Sequence, residues 1–90
     1  MIDFSRYVFV NGRFVSAASA SVSVFDRGLM YGDGLFETMR AYRGVLFALE
    51  DHLDRLRASA GIFGLPVPEY EWRDVCSELL RRSGLRRGDA

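Results

Sequence analysis

The segment that decides the fold of this chain reads Asp26-Arg27-Gly28-Leu29-Met30-Tyr31-Gly32-Asp33-Gly34-Leu35-Phe36-Glu37-Thr38-Met39-Arg40-Ala41-Tyr42. Its first part is rich in glycine, which permits backbone angles that other residues avoid, so residues 26–34 are predicted to form a tight, shaped loop. From Leu35 to Tyr42 the side chains alternate in character, which is the period of a β-strand. The sequence therefore predicts a glycine loop that leads directly into a strand.

One face of this predicted strand carries an unusual set of side chains. Successive strand residues point to opposite sides, so Phe36, Thr38, Arg40 and Tyr42 share one face. An aromatic ring, a hydroxyl group, a cation and a phenol together suit the wall of a pocket for a polar, anionic ligand. The same alternation is also typical of a solvated edge strand in an antiparallel sheet. The pattern alone is compatible with both interpretations.

Length and charge limit the classes of protein to consider. Ninety residues form a single domain, and a chain of this length buries only about 60–65% of its unfolded surface. The formal net charge is zero, so no long-range field attracts nucleic acid or a membrane. No apolar run is long enough for a membrane span and no signal peptide is recognisable. We therefore expect a cytoplasmic protein without nucleic-acid or membrane partners.

The titratable and sulfur-containing residues exclude several kinds of site. All twelve cationic side chains are arginines, and the chain has no lysine. A single cysteine, Cys76, excludes an internal disulfide and provides no metal-ligand cluster. The chain has no complete nucleophile–base pair, no metal-ligand spacing and no lysine-bearing phosphate loop. The arginines at 81, 82, 86 and 87 are interpreted as a solvated helix end rather than a nucleic-acid contact.

The remaining elements follow from turn signals and hydrophobic period. Asn11-Gly12 between two β-branched and aromatic runs predicts a hairpin, and Arg43-Gly44 predicts a second turn. Apolar residues at helical spacing predict two helices, over residues 50–63 and 69–82. Strands followed by helices indicate an α+β fold, an antiparallel sheet with two helices packed on one face.

The predicted first helix carries a second informative group. His52 and Arg55 lie on one stripe at i and i+3, beside the apolar stripe. An arginine at such an edge offers a fork of N–H donors that suits a phosphate, although an ordinary solvated arginine fits the pattern equally well.

On the predicted strand, the carboxylate of Glu37 points to the apolar face and needs a partner there. Arg27 and His52 are the candidate partners, and we expect a structural role for Glu37.

Taken together, these segments resemble the N-terminal domain of the class IV aminotransferases, the fold-type-IV enzymes that use pyridoxal phosphate. The family includes branched-chain aminotransferases, D-amino-acid aminotransferases and aminodeoxychorismate lyase. The resemblance is collinear from about Tyr7 to Pro68. The motifs that carry it are Val10-Asn11-Gly12-Arg13-Phe14, Asp26-Arg27-Gly28, Tyr31-Gly32-Asp33-Gly34-Leu35-Phe36-Glu37-Thr38, His52-Leu53-Asp54-Arg55-Leu56 and Ala58-Ser59-Ala60.

The resemblance implies a role for individual residues. Arg55 matches the arginine that binds the cofactor phosphate. Phe36 matches an aromatic position of the substrate pocket, where branched-chain enzymes typically carry phenylalanine and D-amino-acid enzymes tyrosine. Thr38 and Arg40 match further pocket-wall positions, and Arg40 can pair with a substrate carboxylate. The implied substrates are an amino acid and a 2-oxo acid, and the implied assembly is a homodimer.

The resemblance also implies what these ninety residues lack. In the family, a lysine that binds the cofactor covalently and a glutamate beside the pyridine nitrogen both belong to a second, C-terminal domain. We therefore expect residues 1–90 to be the small domain of a longer enzyme, inactive alone, with no catalytic residue of its own and no metal. An aminodeoxychorismate lyase, or a stand-alone binding or dimerisation module, remain the alternatives.

Overall fold

The structure, a computed structural model, describes residues 6–32, 34–85 and 87–88. It confirms an α+β fold, and the strands of these residues form two separate two-stranded antiparallel sheets where the sequence predicted a single sheet. One turn of 3-10 helix, Ala17–Ser19, follows the first sheet. The other elements in chain order are β1 (Tyr7–Val10), β2 (Arg13–Ser16), α1 (Arg27–Tyr31), β3 (Ala41–Tyr42), β4 (Val45–Leu46), α2 (Leu49–Phe63) and α3 (Trp72–Arg82).

The first hairpin forms as the sequence predicts. Asn11 and Gly12 have φ angles of 52° and 79°, the left-handed values that a tight two-residue hairpin turn requires. Val10 pairs with Arg13, and the register continues to Tyr7 opposite Ser16. The turn therefore fixes which side chains of β1 and β2 face the rest of the chain.

The first hairpin packs against α3. The ring of Phe9 lies edge-on to Tyr70 and Trp72, with centroid separations of 5.2 and 6.2 Å. At the opposite end of the helix, Arg6 Nη1 donates a 2.8 Å hydrogen bond to the carbonyl of Ser83. The backbone N–H of Tyr7 donates to Ser83 Oγ at 3.0 Å. Aromatic contacts and hydrogen bonds thus join β1 to both ends of α3.

The glycine-rich segment differs from its prediction. Instead of an irregular loop, it contains the short helix α1, which Asp26 caps by accepting a 2.9 Å hydrogen bond from the N–H of Gly28. Gly32 ends the helix with a φ angle of 69°, the left-handed conformation typical of helix ends. Asp26 and Asp33 both flank glycines, a position that predicts a capping role for their carboxylates; Asp26 has this role, and Asp33 lies outside the described residues. Asp26 and Gly32, the residues at its two ends, favour this single helical turn more strongly than Gly28 inside it disfavours it.

The predicted strand over residues 35–42 is much shorter in the structure. Only Ala41 and Tyr42 pair, with Leu46 and Val45 respectively. Residues 34–40 carry no regular structure, because in the described chain no neighbouring strand continues the ladder that far. The backbone N–H of Phe47 donates to the carbonyl of Arg40 at 2.8 Å. That bond holds the end of segment 34–40 beside the start of α2.

The two long helices occur where the period predicts them. Helix α2 begins at Leu49, with Glu50 and Asp51 in its first turn, and ends at Phe63, where Gly64 follows as the capping residue with a φ angle of 68°. Helix α3 begins at Trp72 rather than Glu69, because the connector from Pro66 to Glu71 is not helical. Neither of these helices, nor any other in the described residues, has the length and apolarity needed to cross a membrane.

The buried core is small. Among the described residues, the fully buried hydrophobic side chains are Ala41, Leu49 and Ala60, which are 2–3% exposed. The solvent-accessible surface is 7015 Å², whereas a folded monomer of 10.2 kDa exposes roughly 5,300 Å². Many large apolar side chains therefore remain at the surface. The most exposed are Phe36, Ile62, Phe25, Val24, Phe63, Val45 and Tyr31.

Candidate functional site

The candidate site lies between segment 34–40 and the N-terminal half of α2. His52 and Arg55 are three residues apart on this helix, so they lie on the same face. Glu37 reaches this face from the preceding segment, whose end is held by the hydrogen bond between Arg40 and Phe47. The short β3–β4 hairpin therefore returns the chain so that a carboxylate meets two basic side chains.

Glu37 binds one edge of the Arg55 guanidinium group. Arg55 Nε donates to Oε1 and Arg55 Nη2 donates to Oε2, each at 3.2 Å. This is the side-on, two-bond arrangement that a planar guanidinium makes with a carboxylate. Because an arginine has five N–H donors, the opposite edge, formed by Nη1 and the outer hydrogen of Nη2, is left available to a further anion. The Arg55 side chain is 62% exposed.

His52 completes the group from the protein side. Its Nδ1 lies 2.7 Å from Glu37 Oε2. An ionised carboxylate can only accept hydrogen bonds, so the hydrogen of the imidazole is on Nδ1. Nδ1 is also 2.9 Å from Arg55 Nη2, and this contact joins two donors that converge on the same oxygen. The side chains of His52 and Glu37 are 15% and 23% exposed, so both are more enclosed than Arg55.

The electrostatics keep Glu37 ionised at neutral pH. The hydrogen bonds from Arg55, and then from His52, lower the pKa of the Glu37 carboxyl below its ordinary value of 4.5 and outweigh partial desolvation. Reciprocally, Glu37 raises the pKa of Arg55 above its ordinary range. The group therefore combines a fixed anion with a fixed cation. It can hold an incoming anion through Arg55, and the described residues contain no group of three or more His, Cys, Asp or Glu side chains that could hold a metal ion.

The guanidinium of Arg55, the residue predicted to bind a phosphate, is held by Glu37 and belongs to an exposed side chain. Of the two candidate partners of Glu37, His52 makes the contact. The guanidinium of Arg27 lies over the Tyr31 ring, 5.2 Å from its centroid. The contact between Glu37 and Arg55 was missed. The sequence contained a signal for it, since Arg55 lies one helical turn from His52 on the same face and can reach a carboxylate that pairs with His52.

The predicted substrate-pocket residues lie on the same segment as Glu37 but do not join its hydrogen-bond group. Phe36 is 89% exposed, and Thr38 is exposed. The guanidinium of Arg40 lies over the Tyr42 ring, 5.6 Å from its centroid. A cavity of about 610 Å³ lies elsewhere, between residues 26–28 and 34–35 on one side and the connector 65–68 on the other, and none of the four predicted site residues is among its described lining residues. The predicted pocket wall is therefore an open surface in this chain.

Comparison with known proteins decides the family. The model of the family "Amino-transferase class IV" matches residues 34–89, which is more than half of the chain and includes Glu37, His52 and Arg55. The chain belongs to the class IV aminotransferase family. The resemblance inferred from its motifs is thereby confirmed.

Two classes of relative match this class IV aminotransferase chain. It is 49% identical over 81 residues to a putative branched-chain-amino-acid aminotransferase of Methanocaldococcus jannaschii, covering 88% of this chain and 28% of that protein. It is 44% identical over 75 residues to a D-alanine aminotransferase of Staphylococcus epidermidis, covering 83% of this chain and 26% of that protein. The chain thus spans less than a third of the length of these relatives.

A solved structure shows the same fold. The branched-chain aminotransferase of Thermoproteus uzoniensis, crystallised with norvaline, superposes with a TM-score of 0.80 and 38% sequence identity. The superposition covers 94% of this chain and 30% of the crystallised one. The α+β arrangement of this class IV aminotransferase chain is therefore that of the matching portion of a branched-chain aminotransferase.

Proposed function

We propose that these ninety residues form the small, phosphate-binding domain of a pyridoxal-phosphate-dependent aminotransferase. The whole enzyme would move an amino group between an amino acid and a 2-oxo acid. The observation that carries the proposal is Arg55, a cation that Glu37 holds by its Nε–Nη2 edge while the side chain as a whole is 62% exposed. Membership of the class IV family supports the choice of cofactor and reaction.

The donor set fits the phosphate of pyridoxal phosphate. A phosphate group favours a planar guanidinium that can donate two parallel hydrogen bonds, and the free edge of Arg55 is of this kind. His52 lies beside Arg55 on α2 and reinforces its carboxylate partner. When bound, pyridoxal phosphate supplies the electron sink for amino-group transfer. This chain contains no lysine, so the residue that binds the cofactor covalently would come from another part of the enzyme.

The substrate would lie against segment 34–40. Phe36 and Thr38 would shape the side-chain pocket, and Arg40 would pair with a carboxylate of the substrate. The exposure of Phe36 supports this assignment, because an aromatic ring that is open in the isolated chain is available to a ligand or to a further domain. The relatives include both a branched-chain and a D-alanine aminotransferase, so either substrate class is compatible with the chain.

Further protein surface would cover the exposed apolar residues. The surface of the chain exceeds that of a compact monomer, and Phe25, Phe36 and Ile62 are 80–89% exposed. Such patches are typical of surfaces that another domain or subunit covers. We therefore propose that a second, lysine-bearing domain follows in the same enzyme and that the enzyme is a homodimer. The cytoplasmic location expected from the sequence belongs to the same proposal.

Arg55→Ala, made in the polypeptide of the complete reading frame, tests the phosphate assignment. We expect this variant to bind pyridoxal phosphate at least tenfold more weakly, because it loses charge-assisted hydrogen bonds worth about 1.5–3 kcal/mol. Affinity for pyridoxal, which lacks the phosphate, should not change. Arg57→Ala is the matched control, since Arg57 lies on the same helix but pairs with Asp54 and Glu69. Unchanged affinity of Arg55→Ala for pyridoxal phosphate would overturn the assignment.

A further inference from the structure

Glu37 determines which edge of Arg55 faces outward. Its two oxygens accept from Nε and Nη2 of Arg55 at 3.2 Å, so the Nε–Nη2 edge points back toward segment 34–40. A guanidinium is planar and rigid. Fixing one edge therefore fixes the direction of the other, which carries the remaining N–H donors and belongs to a side chain that is 62% exposed.

Glu37 is itself held in place. His52 Nδ1 donates to Oε2 at 2.7 Å, and the His52 and Glu37 side chains are only 15% and 23% exposed. The three groups thus become more exposed from His52 through Glu37 to Arg55. This order is expected if His52 and Glu37 support Arg55 from the protein side and Arg55 contacts the ligand.

We propose that Glu37 is the positioning residue for phosphate recognition, holding Arg55 so that its Nη1–Nη2 edge faces the phosphate of the cofactor. This inference rests on the proposed function of Arg55. An arginine side chain on a helix surface samples many rotamers, and an anion that binds it must order it. A carboxylate that orders the side chain in advance reduces this cost and so increases affinity.

If Glu37 acted only through its charge, its effect on phosphate affinity would have the opposite sign. Glu37 carries a negative charge beside the site, and that charge repels a phosphate. If repulsion dominated, a neutral side chain at position 37 would strengthen phosphate binding. If positioning dominates, the same change weakens it. The direction of the change therefore separates the two roles.

Glu37→Gln in the apo form of the complete enzyme provides the test. The new amide has one acceptor oxygen and no charge, so in either orientation one of the two bonds to Arg55 is lost and an N–H₂ group faces an N–H donor instead. We expect the dissociation constant for pyridoxal phosphate, measured by equilibrium dialysis, to rise about tenfold. The dissociation constant for pyridoxal should stay unchanged. Glu78→Gln is the control, because Glu78 pairs with Arg81 and Arg82 on the remote helix α3.

Nuclear magnetic resonance of the Arg55 Nε–H group gives a readout that does not depend on the cofactor. In the wild-type apo protein we expect a resolved Nε–H signal with slow solvent exchange, and in Glu37→Gln we expect that signal to broaden or disappear. A merely structural role for Glu37 would weaken binding of pyridoxal and pyridoxal phosphate equally. That result, or unchanged or tighter binding of pyridoxal phosphate, would overturn the inference.

Combining the two substitutions separates this inference from the proposed function. In an Arg55→Ala background, Glu37→Gln should cause no further loss of pyridoxal phosphate affinity, because no guanidinium remains to be positioned. If Arg55→Ala alone leaves that affinity unchanged, the proposed function of Arg55 fails. If Arg55→Ala weakens binding but Glu37→Gln does not, the positioning role alone fails.

Discussion

The hydroxyl of Tyr70 lies directly over Gly12, 2.8 Å from the position that a Cβ atom at residue 12 would occupy. Gly12 belongs to the turn of the first hairpin, and Tyr70 precedes α3, so the contact joins the hairpin to the helical part of the chain. The φ angle of Gly12 is 79°, a conformation that L-residues with a side chain adopt only at a cost. Both the backbone angle and the tyrosine therefore favour glycine here.

Gly12→Ala is expected to destabilise the protein by about 1–2 kcal/mol, from left-handed strain together with displacement of the Tyr70 ring. Gly64→Ala is the matched control, because Gly64 has a φ angle of 68° but, its chain neighbours aside, no described residue has an atom within 4 Å of the place that a Cβ atom would take. Denaturant unfolding of both variants measures the difference. In a Tyr70→Phe background, which removes the nearest atom, Gly12→Ala should cost no more than Gly64→Ala. If Gly12→Ala and Gly64→Ala destabilised the wild-type protein equally, the contact between Tyr70 and residue 12 would be unimportant for stability.

Acid should weaken the contribution of Glu37 to stability. The pKa of its carboxyl is lowered in the folded protein, so the unfolded state binds the proton more readily. The contribution is therefore complete above the ordinary value of 4.5 and is lost as the pH falls through the lower, folded value. Urea unfolding from pH 5 downward should show the stability of wild type converging on that of Glu37→Gln. A difference in unfolding free energy between wild type and Glu37→Gln that stays constant down to about pH 3 would contradict this explanation.

Arg40→Gln is expected to impair substrate binding more than turnover. A charge-assisted hydrogen bond to a substrate carboxylate is worth about 1.5–3 kcal/mol, so KM for the amino acid should rise at least tenfold. The change in kcat should be smaller, because Arg40 is assigned no part in proton transfer. Steady-state kinetics of the complete enzyme provide the measurement, with Arg57→Gln as the control. A normal KM would remove Arg40 from the substrate site.

The parts of the fold that depend on local signals were predictable from the sequence. Asn11-Gly12 specifies the first hairpin through its own backbone preference, and the apolar period places both long helices. The strand predicted over residues 35–42 was wrong over most of its length, because pairing needs a partner strand and alternation reports only the side-chain pattern. Helix α1 was missed although Asp26 and Gly32 are ordinary helix-end signals. The glycines of that segment favoured a loop on propensity alone, whereas its caps favoured a helix.

The site was predictable in part. Arg55 was identified from its motif and from its position at the edge of the apolar stripe. The bond between Glu37 and Arg55 was not identified, because it joins residues 18 positions apart and depends on how the β3–β4 turn directs the chain. The position of His52 and Arg55 on one helical stripe nevertheless indicated that a carboxylate bound to His52 is within reach of Arg55. Spacing along one helix predicts which side chains are neighbours, whereas a contact between elements requires the fold.

The most direct test of the account is transfer of a labelled amino group. The polypeptide of the complete reading frame, loaded with pyridoxal phosphate, would be mixed with a 2-oxo acid and either a ¹⁵N-labelled branched-chain amino acid or ¹⁵N-labelled D-alanine. We expect ¹⁵N to appear in the amino acid derived from the 2-oxo acid with at least one donor, and Arg55→Ala to reduce this transfer at limiting cofactor. Absence of transfer from both donors by cofactor-loaded protein, or release of products by elimination alone, would contradict the account.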